Sequence, residues 1–143
     1  MAQLARLMIP RIEFHEVNLI MKKYIKSSES VFGMANLNPQ KAGLGSIVIW
    51  SDHGGISRSV SHRNSPRVKM DKGSMSISVS ISEKPEILAR NKYVKKNNLS
   101  EFQPGIDYVS RNHDIFLKHY MDVDFSFDDE DFFNALRERG EYR

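Results

Sequence analysis

Cysteine is absent from the 143 residues, which removes disulfide frameworks, thiolate metal sites, iron–sulfur clusters and cysteine nucleophiles, and leaves nothing that argues for an oxidising compartment. No apolar run approaches the ~18 residues that span a bilayer, and Met1 to Pro10 lacks the sustained apolar centre and small-residue cleavage site of a leader. The expectation is a soluble, cytoplasmic protein with no membrane partner. Motifs of established chemistry are missing too: there is no Gly-x-Ser-x-Gly elbow, His-Glu-x-x-His, phosphate loop or dinucleotide fingerprint. The acidic run Asp122, Asp124, Ser126, Asp128 has Phe127 where a calcium loop needs glycine and Phe133 where it needs a bidentate glutamate. No metal and no cofactor are expected on these grounds.

What is present suits one folded unit. A chain of 16.5 kDa, 40% hydrophobic and 27% charged with a mean hydropathy of −0.48, lies near the globular average and fits a single domain over residues 1–143. The formal charge of +3 hides an asymmetry: residues 1–100 carry 16 Lys and Arg against 7 Asp and Glu, whereas residues 101–143 carry 5 against 11. The densest positive run is Arg58, Arg63, Arg67, Lys69 and Lys72, followed by Lys84, Arg90, Lys92, Lys95 and Lys96. Such a run can neutralise phosphates and give salt-dependent affinity for nucleic acid. It can equally face the acidic end of its own chain, or water.

Periodicity places the elements. Arg11 to Val17 alternates as a half-buried strand, Asn18 to Lys26 fits helix or strand, and Ser27 to Ser30 is a polar connector. Val31 to Leu37 reads as a short strand, Asn38 to Gly45 as a loop, and Ile47-Val48-Ile49-Trp50 as a central strand buried on both faces. The clearest signal is a hairpin over Pro66 to Ser82, in which Met75, Ile77, Val79 and Ile81 face the core and Ser76, Ser78 and Ser80 share the other face with Arg67 and Lys69. That hydroxyl-rich, basic face suits phosphate oxygens, and is also what the wet side of an ordinary antiparallel sheet looks like. Pro85 to Ala89 suggests one helical turn, and Lys92 to Asn98 a basic loop with Tyr93 as a possible stacking ring. From Gly105 to Asp122 one helix is expected, with Ile106, Val109, His113, Phe116, Leu117 and Tyr120 on its apolar face and Asp107–Arg111 and Asp114–Lys118 pairs on its polar face. Ser126 and Asp129 form a capping-box pattern ahead of a last helix that buries Phe132, Phe133 and Leu136 and stops at Gly140. Asp128, Asp129, Glu130 and Asp131 load its first turn with negative charge, a helix-dipole device that also offers an acidic face to a partner.

Histidine chemistry is the enzymatic alternative. Asp52-His53-Gly54-Gly55 follows the central strand, where loops often present functional groups, and His62-Arg63 comes nine residues later. His53, His62 and Arg63, with Arg58 and Arg67 nearby in sequence, are the types a metal-independent ribonuclease uses as acid, base and oxyanion stabiliser. Asp52, His53 and His62 as metal ligands lack a signature. His113 is expected to be a hydrogen-bonded core residue, with His119, six positions on, pointing elsewhere.

Ser51-Asp52-His53 after a strand, then a hairpin, then a helix ending Asn112-His113-Asp114-Ile115-Phe116-Leu117-Lys118-His119-Tyr120 resembles, over about residues 45–121, a small bacterial family known as domain of unknown function 4160. That family places an Asn/Asp-Asp-His box before a Pro-His-x-His pair. Here Asp52 and His53 match the box, and Gly55-Ile56-Ser57-Arg58 stands in place of the pair. The resemblance implies a bacterial or phage-borne accessory protein of the kind associated with toxin–antitoxin modules and mobile elements.

The combined expectation is an α+β domain: a small, mostly antiparallel sheet packed by the Gly105–Asp122 helix, with a short acidic-capped last helix at one edge. Its expected role is non-enzymatic binding of a nucleic acid or nucleoprotein, as a regulator or inhibitor in a toxin–antitoxin or counter-defence (anti-CRISPR) setting, through Arg58, Arg63, Arg67, Lys69, Lys72, Lys92, Tyr93, Lys95 and Lys96. The alternatives are the His53/His62 ribonuclease and a protein-interaction module using Asp128, Asp129, Glu130 and Asp131. The sequence leaves the oligomeric state open.

Overall fold

The computed structural model describes residues 30–31, 34–54 and 65–143. The strand expected over Arg11–Val17, the segment Asn18–Lys26, and Arg58, His62 and Arg63 lie outside these residues. The fold is α+β. Six strands form one antiparallel sheet in sequence order: β1 (Ser30–Val31), β2 (Met34–Leu37), β3 (Val48–Asp52), β4 (Arg67–Lys72), β5 (Met75–Ser80) and β6 (Ile87–Arg90). The described helices are α1 (Pro39–Ala42), a 3₁₀ helix (Lys96–Phe102), α2 (Gln103–Arg111), α3 (His113–Met121) and α4 (Asp129–Glu138). None is long and apolar enough to cross a membrane.

The hairpin forms as the alternation predicts, with Lys72 opposite Met75 and Arg67 opposite Ser80. Val68, Met70, Ile77 and Val79 face the core, while Met75 is only partly buried. The helices cover this side. Gly105 shows how closely: a Cβ there would lie 2.9 Å from Met70 Sδ and 3.2 Å from Ile47 Cγ2, so the first turn of α2 rests directly on the sheet. Phe102, Tyr108, Phe116, Phe132 and Leu136 then join Leu37, Ile49 and Met70 in one apolar cluster, and burying such side chains stabilises by about 1.5–3 kcal/mol each before entropy is counted.

Several sequence expectations are corrected by tertiary context. Val31 to Leu37 is not one strand, because Val31 belongs to β1 and pairs antiparallel with Met34 of β2. The Asn38–Gly45 loop contains α1, whose amides at Gln40 and Lys41 bond the Asn38 side chain at 2.9 and 3.1 Å. The stretch Ile47–Trp50 is buried on one face only: β3 alternates, with Ile49 and Ser51 inward and Val48, Trp50 and Asp52 half-exposed. Pro85–Ala89 is not a helical turn, since the open edge of β5 supplies backbone partners that draw Ile87–Arg90 into β6.

The long helix is likewise broken. At Asn112 (φ −117°, ψ 21°) α2 ends and α3 begins, and the Asn112 amide bonds Tyr108 O and Glu141 Oε2, each at 3.0 Å. The break resets the helical phase, so α3 buries Ile115, Phe116, His119 and Tyr120, leaves Leu117 37% exposed and half-exposes His113. His119, not His113, enters the core, whereas the His113 ring bonds Ser110 O at 2.9 Å. The anticipated i, i+4 pairs give way to other partners: Asp107 accepts from Gln103, Arg111 bonds Glu141, and Asp114 bonds Arg139. The cap of α4 is Asp128 with Asp131, two residues beyond the Ser126–Asp129 pattern, because Ser126 donates its hydroxyl to Asp122 instead.

Candidate functional site: a buried polar seam and an open sheet face

Two places concentrate the residues that carry chemistry. The first lies where the end of β3 meets the C-terminal end of α3 and the start of α4. The chain leaving β3 runs against α3 so tightly that a Cβ on Gly54 would fall 2.1 Å from Tyr120 O and 2.7 Å from Asp122 O. Glycine is required there by contact alone. This approach brings Ser51, His53, His119, Asp122 and Asp129 together, all buried. His53 Nε2 bonds Asp122 Oδ2 at 2.5 Å, His119 Nε2 bonds Asp129 Oδ1 at 2.6 Å, and Ser51 Oγ bonds His119 Nδ1 at 2.8 Å. Because a carboxylate only accepts, each Nε2 carries the hydrogen it shares with its aspartate.

The two rings meet edge to face with centroids 5.3 Å apart. Phe125 stacks on His53 at 4.8 Å and Phe132 covers His119 at 4.5 Å. Phe125 reaches that position from a left-handed backbone (φ 63°), a conformation that costs a bulky residue about 1–2 kcal/mol. Burial pushes the His53 imidazole below its ordinary value, against the hydrogen bond to Asp122, and nearby His119 adds to the lowering. Burial alone would raise the Asp122 carboxyl, but the bonds from His53, the Ser126 hydroxyl and the Phe127 amide outweigh it and hold it at about 2. At the His53 end of the seam a neutral imidazole therefore donates to the Asp122 carboxylate.

Ser51, His119 and Asp129 share the connectivity of a nucleophile, base and orienting carboxylate. With Ser51 and His119 0% exposed, neither group meets a substrate, and the array functions as a clamp between sheet and helices. His53 is equally sealed at 0% exposure, so this conformation denies it the acid–base contact with a phosphodiester that the ribonuclease reading needs. Among the described residues no cluster of three or more such side chains is arranged to hold a metal ion.

The second place is the sheet face turned away from the described helices. Register sets its composition: Asn36, Trp50, Lys69, Ser78 and Ala89 are successive partners across β2 to β6, with Arg67 opposite Ser80 and Asp71 opposite Ser76 in the flanking rows. Asp71 accepts from Trp50 Nε1 at 2.9 Å and from Ser76 Oγ at 2.5 Å, and Lys69 Nζ lies 3.7 Å away. The Arg67 guanidinium bonds Ser65 O and Oγ at 3.2 and 2.9 Å. At the hairpin end of the sheet, Lys72 pairs with Glu101 at 3.3 Å. Lys92, Lys95 and Lys96 are exposed, and Lys92 Nζ stands 5.2 Å over the ring of Tyr93, itself 53% exposed.

The anticipated acidic face is divided, two of its residues buried and two exposed. Asp129 receives His119 and Asp128 and Asp131 cap α4 by accepting each other's backbone N–H groups, with Asp128 and Asp129 buried and Glu130 and Asp131 exposed. Sequence reasoning passed over Trp50 and Ser51. The alternation of β3 beyond Ile49 is the signal that could have found them.

Comparison with protein-family models, curated proteins and solved structures found no match to this chain.

Proposed function

We propose that the protein binds a nucleic acid or nucleoprotein through the outer sheet face and the loop after β6. The bacterial or phage accessory setting, toxin–antitoxin or counter-defence, and action within the cytoplasm follow from the resemblance and the small size, and form part of the same reading. One observation carries the binding role: four carboxylates of the last third are engaged on the helical side. Asp114 bonds Arg139 through two contacts of 2.7 Å, Glu141 bonds Arg111 at 3.1 Å, and Asp122 and Asp129 hold the histidines. Lys92, Lys95 and Lys96 meanwhile project into water. An exposed cluster of this sign releases counterions when it meets phosphates, a sequence-independent source of affinity.

The test is fluorescence anisotropy of labelled RNA and DNA oligonucleotides, single-stranded and duplex, with the native protein and a Lys92→Glu/Lys95→Glu/Lys96→Glu variant. Binding that weakens with salt and is lost on charge reversal supports the reading. Absence of binding to every oligonucleotide, or affinity untouched by the reversal, contradicts it.

A further inference from the structure

Resting on that reading, we propose that the outer face binds a single strand laid across β3 to β6, with Trp50 as the stacking surface for a base and Lys69 and Arg67 as its phosphate contacts. Three features converge. The row Trp50, Lys69, Ser78, Ala89 crosses four strands in register, and at an inter-strand spacing of about 4.8 Å it runs roughly 14 Å. Sheet faces of that reach accommodate two or three unpaired bases.

The row is also recessed. A groove of about 160 Å³ is bordered by Trp50, Asp52, Arg67, Lys69 and Ser78. A second, of about 240 Å³, is bordered by Lys69, Ser76, Ser78, Ala89, Arg90 and Asn91. Lys69 and Ser78 belong to both, so the two form one track. Its depth comes from small residues, Ser78 and Ala89, following the large indole.

Charge and hydrogen-bonding chemistry select the occupant. Lys69, two serine hydroxyls and the Asn91 amide border the second groove, which has no carboxylate, and Arg67 joins Lys69 along the first. The Asp71 carboxylate beside the track is engaged by the Trp50 indole and the Ser76 hydroxyl, with Lys69 at ion-pair distance. Its bond to Nε1 fixes the edge of the indole, which reduces the ordering cost of stacking. A base can lie on that ring only when unpaired, whereas a duplex offers the track its backbone alone.

Trp50 is the one tryptophan of the chain, so its emission reports the contact without any label. Titration with a short oligouridine or oligothymidine, beside a duplex of the same length, is expected to quench Trp50 with the single strand and much less with the duplex. Lys69→Ala/Arg67→Ala should weaken single-strand binding about ten-fold at constant salt, and Trp50→Phe should retain more of it than Trp50→Ala. Single-strand binding by anisotropy with unchanged Trp50 emission overturns this inference and leaves the broader reading intact. Equal quenching by duplex and single strand overturns the choice of single strand. No binding of either overturns both.

Discussion

Behind the sheet, Asp122 and Asp129 each accept a hydrogen bond from a fully buried histidine. In front of it, Lys69 stands with its side chain 50% exposed beside a row of serines. Among the described residues an ion pair between Lys72 and Glu101 joins the basic part of the sequence to its acidic last third. The carboxylates close helix ends and hold imidazoles, where low dielectric makes each bond count, and the cations stay where water and salt screen them and a polyanion can displace their counterions. Ionic groups on the first side serve the fold, while Lys92, Lys95 and Lys96 stand exposed.

Breaking the buried side should have the largest effect. His119→Ala removes the donor to Asp129 and leaves a buried carboxylate without it, at a cost of about 3–5 kcal/mol by chemical denaturation. Gly54→Ala forces a methyl into the Tyr120 and Asp122 carbonyls and should cost about 1–3 kcal/mol in the same assay. Asp128→Ala removes the cap of α4 and should cost about 1 kcal/mol. Lys92→Ala, Lys95→Ala and Lys96→Ala should each change stability by less than about 0.5 kcal/mol while weakening oligonucleotide binding.

Acid sharpens the same contrast. Because the His53 value is lowered in the fold, the unfolded chain takes up its proton first. The stability supplied by the neutral ring is complete above its ordinary 6.5 and drains as the pH falls below it. Asp122, held at about 2 against an ordinary 3.8, adds a second loss between those values. Thermal unfolding from pH 8 to pH 3 should show the decline, and the step below pH 6.5 should shrink in a His53→Gln variant.

The sequence made local order legible and long-range order opaque. The alternation from Ser74 to Ser82 identifies the β4–β5 hairpin, and Phe132, Phe133 and Leu136 mark the inner face of α4, because each pattern repeats within one element. The Asn112 break depends on Glu141, 29 residues away, and no helical period reveals it. His53 and Asp122 stand 69 residues apart, and Ser51 and His119 68, so the seam exists only once β3 and α3 have packed. Trp50 escaped notice for a different reason. Four apolar residues in succession conceal which of them alternate outward, and only the register with Lys69 places the indole on the open face.

The division of charge is tested most directly by the salt dependence of single-strand affinity. For a single strand, the logarithm of affinity falls with the logarithm of salt concentration by about 0.7 per phosphate neutralised. Replacing Lys92, Lys95 and Lys96 together by alanine should therefore reduce the slope by about 2 with little change in the unfolding midpoint. A slope unchanged by the triple replacement, or one that disappears only when Asp122 or Asp129 is altered, would contradict the account.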